Sequence, residues 1–198
     1  MTFLQNMIRI FWVVNLLVFI TSCNDKSAGR EVEIGDPDNG AVLTKEGQSL
    51  HYKEYENAAN LIGENKIDEA IKVYTRLLSI EQEQANALAG LGSCYSLKND
   101  FSNALISYRQ SLVINPVSMT SLVGIGSAYS SLKEYDSAIH FYNQAKKINP
   151  EVAETYWGLA IVYDEIGDRD NAKQNAKKFI DLAPNSMYRQ LMEEIIRK

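Results

Sequence analysis

The sequence predicts an all-α fold made by stacking one repeated unit, and three observations point there. Residue types recur at a constant offset of 34: Gly92 with Gly126, Tyr95 with Tyr129 and Tyr163, and Ala104 with Ala138 and Ala172. A proline closes each period, at Pro116, Pro150 and Pro184, and backwards the register reaches Ala58 and Ala70. Self-similarity at this period marks a solenoid or array. The residue types fit that reading, because Gly or Ala lets two helix backbones approach and a tyrosine fills the space above them. Proline cannot continue the hydrogen bonding of the preceding helix.

The pattern resembles the tetratricopeptide repeat family, a helix-turn-helix with Leu, Gly, Tyr, Ala, an aromatic, Ala and Pro at fixed places. The resemblance implies a right-handed α-solenoid of four such units over 51–186, with boundaries 51–84, 85–118, 119–152 and 153–186, and a capping helix at 187–198. The first unit keeps Ala58, Ala70 and Tyr74 but has Leu61 for the tyrosine and Gln82 for the proline. Terminal repeats are often atypical in this way. The second and third are the most faithful. In the fourth, Ala176 and Phe179 occupy each other's expected places, so packing onto the end helix should differ.

Asp68, Ser102, Asp136 and Asp170 also fall 34 apart, where each second helix should begin. They are expected as N-caps, each contributing about 1 kcal/mol by accepting from free backbone amides. No single repeat can bury its apolar face alone, so 51–186 should form one cooperative body. Met187, Leu191 and Ile195, at i, i+4 and i+8, give the last segment an apolar stripe to cover the fourth repeat.

Residues 1–22 differ from everything after them: Arg9 precedes the apolar run Ile10 to Ile20, and Thr21 and Ser22 follow. The run has 11 residues. A helix needs about 20 apolar residues to cross a bilayer, so this segment is expected to be a secretory signal. Ile20-Thr21-Ser22-Cys23 resembles a bacterial lipobox. That resemblance implies cleavage before Cys23, lipidation of its thiol and permanent membrane attachment, since two or three acyl chains hold where one is marginal. It further implies a place in the bacterial cell envelope, the outer membrane if the source is Gram-negative. Residues 23–50 are expected to be a flexible linker: Asn24 to Gln48 holds six acids, three bases, scattered glycines and almost no apolar periodicity.

Composition bears on function class. The formal charge is −5, and without residues 1–22 there are 19 basic against 25 acidic residues. No basic run exceeds Lys146-Lys147 or Lys177-Lys178, which argues against nucleic acid. His51 and His140 lack spaced partners, and no glycine-rich phosphate loop or nucleophile elbow is present, so neither catalysis, metal nor cofactor is expected. The carboxylates around Gly167 miss the alternate spacing of a calcium loop. Cys94 is expected buried and inert.

What remains is a surface. In the resembled family the first helix of each repeat lines a concave groove. Carried over residue by residue, that groove holds Tyr52, Tyr55 and Ala59, then Asn86, Ala89, Ser93 and Ser96. Thr120, Val123, Ser127 and Ser130 follow, then Glu154, Trp157, Ile161 and Asp164. A small, polar middle between aromatic ends suits an extended peptide or partner helix, with Tyr55 and Trp157 as anchors. An envelope glycan on those aromatic ends is the alternative ligand. The carboxylate-clamping subtype uses Lys, Arg and Asn here, and only Asn86 matches it.

Overall fold

The structure is a computed structural model that describes residues 45–80 and 83–198, with side chains from Tyr52 onward. The expectations for the signal segment, for Cys23 and for the linker up to residue 44 lie outside these residues. The described residues form nine helices and no strand. In order they are α1 (Lys45–Gly63), α2 (Ile67–Leu77), α3 (Gln84–Leu97), α4 (Phe101–Ile114) and α5 (Met119–Ser131). Then come α6 (Tyr135–Ile148), α7 (Ala153–Glu165), α8 (Arg169–Leu182) and α9 (Arg189–Arg197).

The chain divides into two compact units at residues 81/82. That is the one repeat seam without a proline, where Gln82 stands. The first unit is the hairpin of α1 and α2, closed by Ala58, Ala59, Ile62, Ala70, Val73, Tyr74 and Leu77, with Tyr55 tilted against Tyr74 at 6.0 Å between ring centroids. Its first helix begins at Lys45, six residues ahead of the expected repeat boundary.

In the second unit α3 pairs with α4, α5 with α6 and α7 with α8, while α4 also packs on α5 and α6 on α7. The first helices form a row of their own, α3 beside α5 and α5 beside α7. Helix α9 packs on α8 and α7 as the first helix of another repeat would.

The two seams joining the second, third and fourth repeats are each built around one tyrosine. Tyr108 on α4 is fully buried between Gly92 of its own repeat and Gly124 of the next, and Tyr142 on α6 lies likewise between Gly126 and Gly158. A Cβ built on Gly92 or Gly124 would come within 2.6 and 2.3 Å of the Tyr108 ring, and one on Gly126 or Gly158 within 2.9 and 2.3 Å of Tyr142. The ring therefore needs glycine on both sides. The phenols stay neutral, since burial raises both above the usual tyrosine range while the serines beside them, Ser93 and Ser127, only partly offset it.

The end seam inverts this arrangement. Thirty-four residues after Tyr142 stands Ala176, and 34 after Gly158 stands Met192, both fully buried. Volume has moved from the second helix to the first, which is how packing onto the end helix differs. The stripe of α9 is accordingly Tyr188, Met192 and Ile195, at i, i+4 and i+7, whereas Met187, expected on it, is exposed. Thus the expected stripe was one residue out of phase at its start.

The turns inside each repeat follow one design. Asn65, Asn99, Lys133 and Gly167 all have positive φ and fall 34 apart. After each, an amide reaches back to close the preceding helix: Lys66 to the Leu61 carbonyl, Asp100 to Tyr95, Glu134 to Tyr129 and Asp168 to Tyr163. This is the Schellman arrangement. The residue that closes one helix also caps the next, so the N-caps are Lys66, Asp100, Glu134 and Asp168, two places before the expected Asp68, Ser102, Asp136 and Asp170. The αL residue uses up the turn and lets the second helix start earlier. Two of these caps have the side-chain bond: Asp100 accepts from the Asn103 amide and Asp168 from the Asn171 amide, each at 3.2 Å.

A buried serine chain joins the second repeat to the third. Ser118 donates to Ser121 at 3.0 Å, Ser121 to Ser111 at 2.8 Å, and Ser111 to the Ala85 carbonyl at 2.8 Å. One period later Thr155 replaces Ser121, but Ala145 and Val152 replace its partners. The Thr155 hydroxyl is fully buried and has no hydrogen-bond partner.

Two predictions follow from these seams. Gly124→Ala or Gly158→Ala should cost about 1–3 kcal/mol by overpacking, while Gly63→Ala, with nothing near its Cβ, should be neutral or stabilising. Denaturant titration of each variant checks the ordering. Thr155→Val should be neutral or stabilising by about 1 kcal/mol because it removes an unsatisfied hydroxyl, whereas Ser121→Ala should destabilise by a similar amount. Paired melting curves separate the two.

Candidate functional site

The 34-residue spacing turns the row of first helices into a register. Asn86, Thr120 and Glu154 stand at its first level; Ala89, Val123 and Trp157 at the second; Ser93, Ser127 and Ile161 at the third; Ser96, Ser130 and Asp164 at the fourth. Because α3, α5 and α7 lie side by side, each level is a transverse line of side chains. Helix α9 continues the register with Tyr188, Leu191, Ile195 and Lys198. Sequence reasoning placed a cap there but missed this continuation, although counting 34 onward past Pro184 would have found it.

The middle levels are structural. Ser93 is buried, donates to the Ala89 carbonyl at 3.1 Å and accepts from the Tyr108 hydroxyl at 3.2 Å. Ser127, one period later, is likewise buried, whereas the buried Ser96 hydroxyl has no hydrogen-bond partner among the described residues. The expected polar floor is therefore buried at Ser93, Ser96 and Ser127. Ala89, Val123 and Ile161 are buried beside them. Of the serine hydroxyls, that of Ser93 serves the Tyr108 phenol.

The accessible polar groups lie at the outer levels. Asn86 is exposed, and Thr120, Ser130, Glu154 and Asp164 are half-buried. Burial raises the Glu154 carboxyl above the usual range. Asp164 receives the Lys198 ammonium at 2.5 Å, which ties α9 to α7 at the fourth level. Trp157, expected as an anchor, is 4 % exposed, and its ring meets Tyr188 at 5.8 Å between centroids. It is thus a packing residue of the end seam. Burial pushes the Tyr188 phenol up to about 12. Tyr52 is exposed and Tyr55 half-buried; both belong to the first unit and are described apart from this row.

The other singled-out residues also have places. Cys94 is fully buried and reduced, its thiol pushed up to about 12 by burial, so it carries almost no thiolate at neutral pH. His140 is exposed on α6, its Nε2 at 2.7 Å from the Gln144 amide nitrogen and its ring edge-on to Phe141. Among the described residues no three His, Cys, Asp or Glu side chains are grouped to hold a metal ion. No helix among them is long and apolar enough to cross a membrane.

Comparison with known proteins agrees with this geometry. Tetratricopeptide repeat family profiles match residues 87–116, 120–152 and 153–186, the second, third and fourth of the expected units. No curated protein matches the chain. Among solved structures, a tetratricopeptide repeat protein from Parabacteroides merdae is similar at 21% identity and a TM-score of 0.58, covering 75% of this chain. The chain spans 59% of that protein's length. A thermophilic TPR protein of Thermus thermophilus is similar at 18% identity and a TM-score of 0.67, over 73% of this chain and 80% of that one. The first TPR domain of Spaghetti, bound to the HSP90 peptide SRMEEVD, is similar at 19% identity and a TM-score of 0.55, over 60% of this chain and 94% of that one. Three spans of the chain, 87–116, 120–152 and 153–186, are accordingly tetratricopeptide repeats within an all-α helical repeat fold.

Proposed function

We propose that the chain is a membrane-anchored interaction scaffold of the bacterial envelope, holding a peptide or partner protein along the row of first helices. The observation that carries this reading is the register itself: three repeats present aligned levels of side chains whose accessible members, Asn86, Thr120, Ser130 and Glu154, are polar and lie around a closely packed middle. A TPR domain of the same fold is bound to a peptide in the Spaghetti structure. Here the groove positions on α3, α5 and α7 carry two carboxylates, Glu154 and Asp164, and no Lys, Arg or His, and the Lys198 that continues the register on α9 is paired with Asp164, so an acidic peptide held by a cationic clamp is not the ligand these residues suit. The covering of Trp157 by Tyr188 removes one of the two aromatic ends on which a glycan would stack.

The anchoring half of the proposal rests on the sequence, on the apolar run Ile10 to Ile20 and the lipobox-like Ile20-Thr21-Ser22-Cys23. A lipid on Cys23 would fix the chain to the outer membrane in a Gram-negative source, and 24–44 would tether the folded repeats to it. Such a tether leaves the first-helix row free to meet a partner.

A photo-crosslinking residue placed at Thr120 should capture a partner in intact cells, and one at Ile106 on the outer helix should not. Capture at Ile106 alone would overturn the groove assignment. Intact mass of the mature chain checks the anchor: a diacylglyceryl cysteine at position 23 is expected, lost in Cys23→Ala.

A further inference from the structure

The second unit has two edges made by its turns, and they differ in chemistry. Connections within repeats (98–100, 132–134, 166–168) lie on one edge, and connections between repeats (115–118, 149–152, 183–188) lie on the other, because successive helices of the stack run in opposite directions. On the first edge, 98–100, 132–136 and 165–170 contain six carboxylates and three cations. On the second, 112–119, 146–153 and 177–189 contain five cations and two carboxylates, and one of the five, Arg189, is paired with Glu193 at 2.8 Å.

The second edge also carries most of the exposed apolar surface. Eight large apolar side chains of this unit are exposed, and five are here: Val113 at 83%, Met187 at 64%, Val117 at 58%, Ile114 at 50% and Ile148 at 44%. A folded chain gains nothing from leaving such a group in water. The lysines beside them are poorly neutralised. Lys146 and Lys178 lie over the Tyr156 ring, at 5.3 and 5.9 Å from its centroid, so their ammonium groups converge from α6 and α8. Their one carboxylate is Glu151, 3.6 Å from Lys178. Lys146 and Lys147 have no carboxylate partner among the described residues.

We propose that this edge docks onto an anionic lipid surface. Apolar side chains projecting beyond a row of turns can enter the boundary between headgroups and acyl chains, while the lysines around them meet phosphate and keep their ammonium groups in water. Neither feature alone holds a protein to a bilayer, but apolar insertion and basic charge act together. A second copy of the chain fits this edge less well, because pairing it with itself brings lysine rim against lysine rim. The inference is independent of the lipid on Cys23; with that lipid present, docking would fix how the repeats stand on the membrane, with the net acidic edge facing away.

The test uses the full chain with Cys23→Ala, carrying an environment-sensitive fluorophore on Val117→Cys or, as control, on Ile166→Cys at the opposite edge; Cys94 is buried and labels little. The probes are phosphatidylcholine vesicles with and without phosphatidylglycerol. The label at 117 should shift to the blue with phosphatidylglycerol vesicles only, and the label at 166 should not move. Lys146→Glu with Lys147→Glu should weaken partition at least about thirtyfold. Flotation of the chain with neither label shifted overturns the docking edge and leaves membrane anchoring standing. A shift at 117 without vesicles that grows with protein concentration makes the partner a second copy and also overturns it.

Discussion

The rest of the stack depends on the contact of one buried phenol with two glycines. Tyr108 and Tyr142 each fill a gap that exists only because the first helices on either side lack a Cβ at the crossing. This contact sets how near successive repeats lie, which in turn brings the first helices into one row. It also engages the middle register, since Ser93 accepts from the Tyr108 hydroxyl. Accessible polar side chains on that row, Asn86, Thr120, Ser130 and Glu154, thereby lie at the outer levels. Steric fit at the seam thus decides which residues of the candidate site remain available to a partner.

Much of this was legible in the sequence. A fixed offset with matching Gly, Ala, Tyr and Pro predicts helices, their pairing and their order, because only those residue types permit close crossing followed by a break. Gly92 and Gly126 were visible as one side of each wedge. Gly124 and Gly158, the other side, carry the same spacing but stand two residues earlier in the unit, and only the contact with the preceding tyrosine reveals their role. The exchange of Ala176 and Phe179 was visible too, yet its compensation by Met192 needed the α9 register.

The turns and the site were harder to read, for physical reasons. A row of acids 34 apart looks like N-caps, but the αL residue before each second helix advances the cap by two places, and Asn, Asn, Lys and Gly at 65, 99, 133 and 167 do not look like one motif. Lys133 gives no sign in sequence that its backbone is left-handed. Groove membership carried over by register names helices that lie side by side, but it says nothing of accessibility. Trp157 has the same spacing as Ala89 and Val123, and its covering by Tyr188 follows from where α9 ends the stack.

If the wedge organises the stack, volume should be exchangeable across a seam, as the end of the chain already shows with Ala176 and Met192. The most direct measurement is a double-mutant cycle in Tyr142→Ala and Gly158→Met, with unfolding free energies from denaturant titration. Tyr142→Ala alone should cost about 3–5 kcal/mol as a large-to-small change, and Gly158→Met alone should be comparably harmful by overpacking. The double variant should recover more than half of the summed loss, a strong favourable coupling. Additive losses would contradict it, and would mean that something other than the tyrosine between two glycines holds successive repeats together.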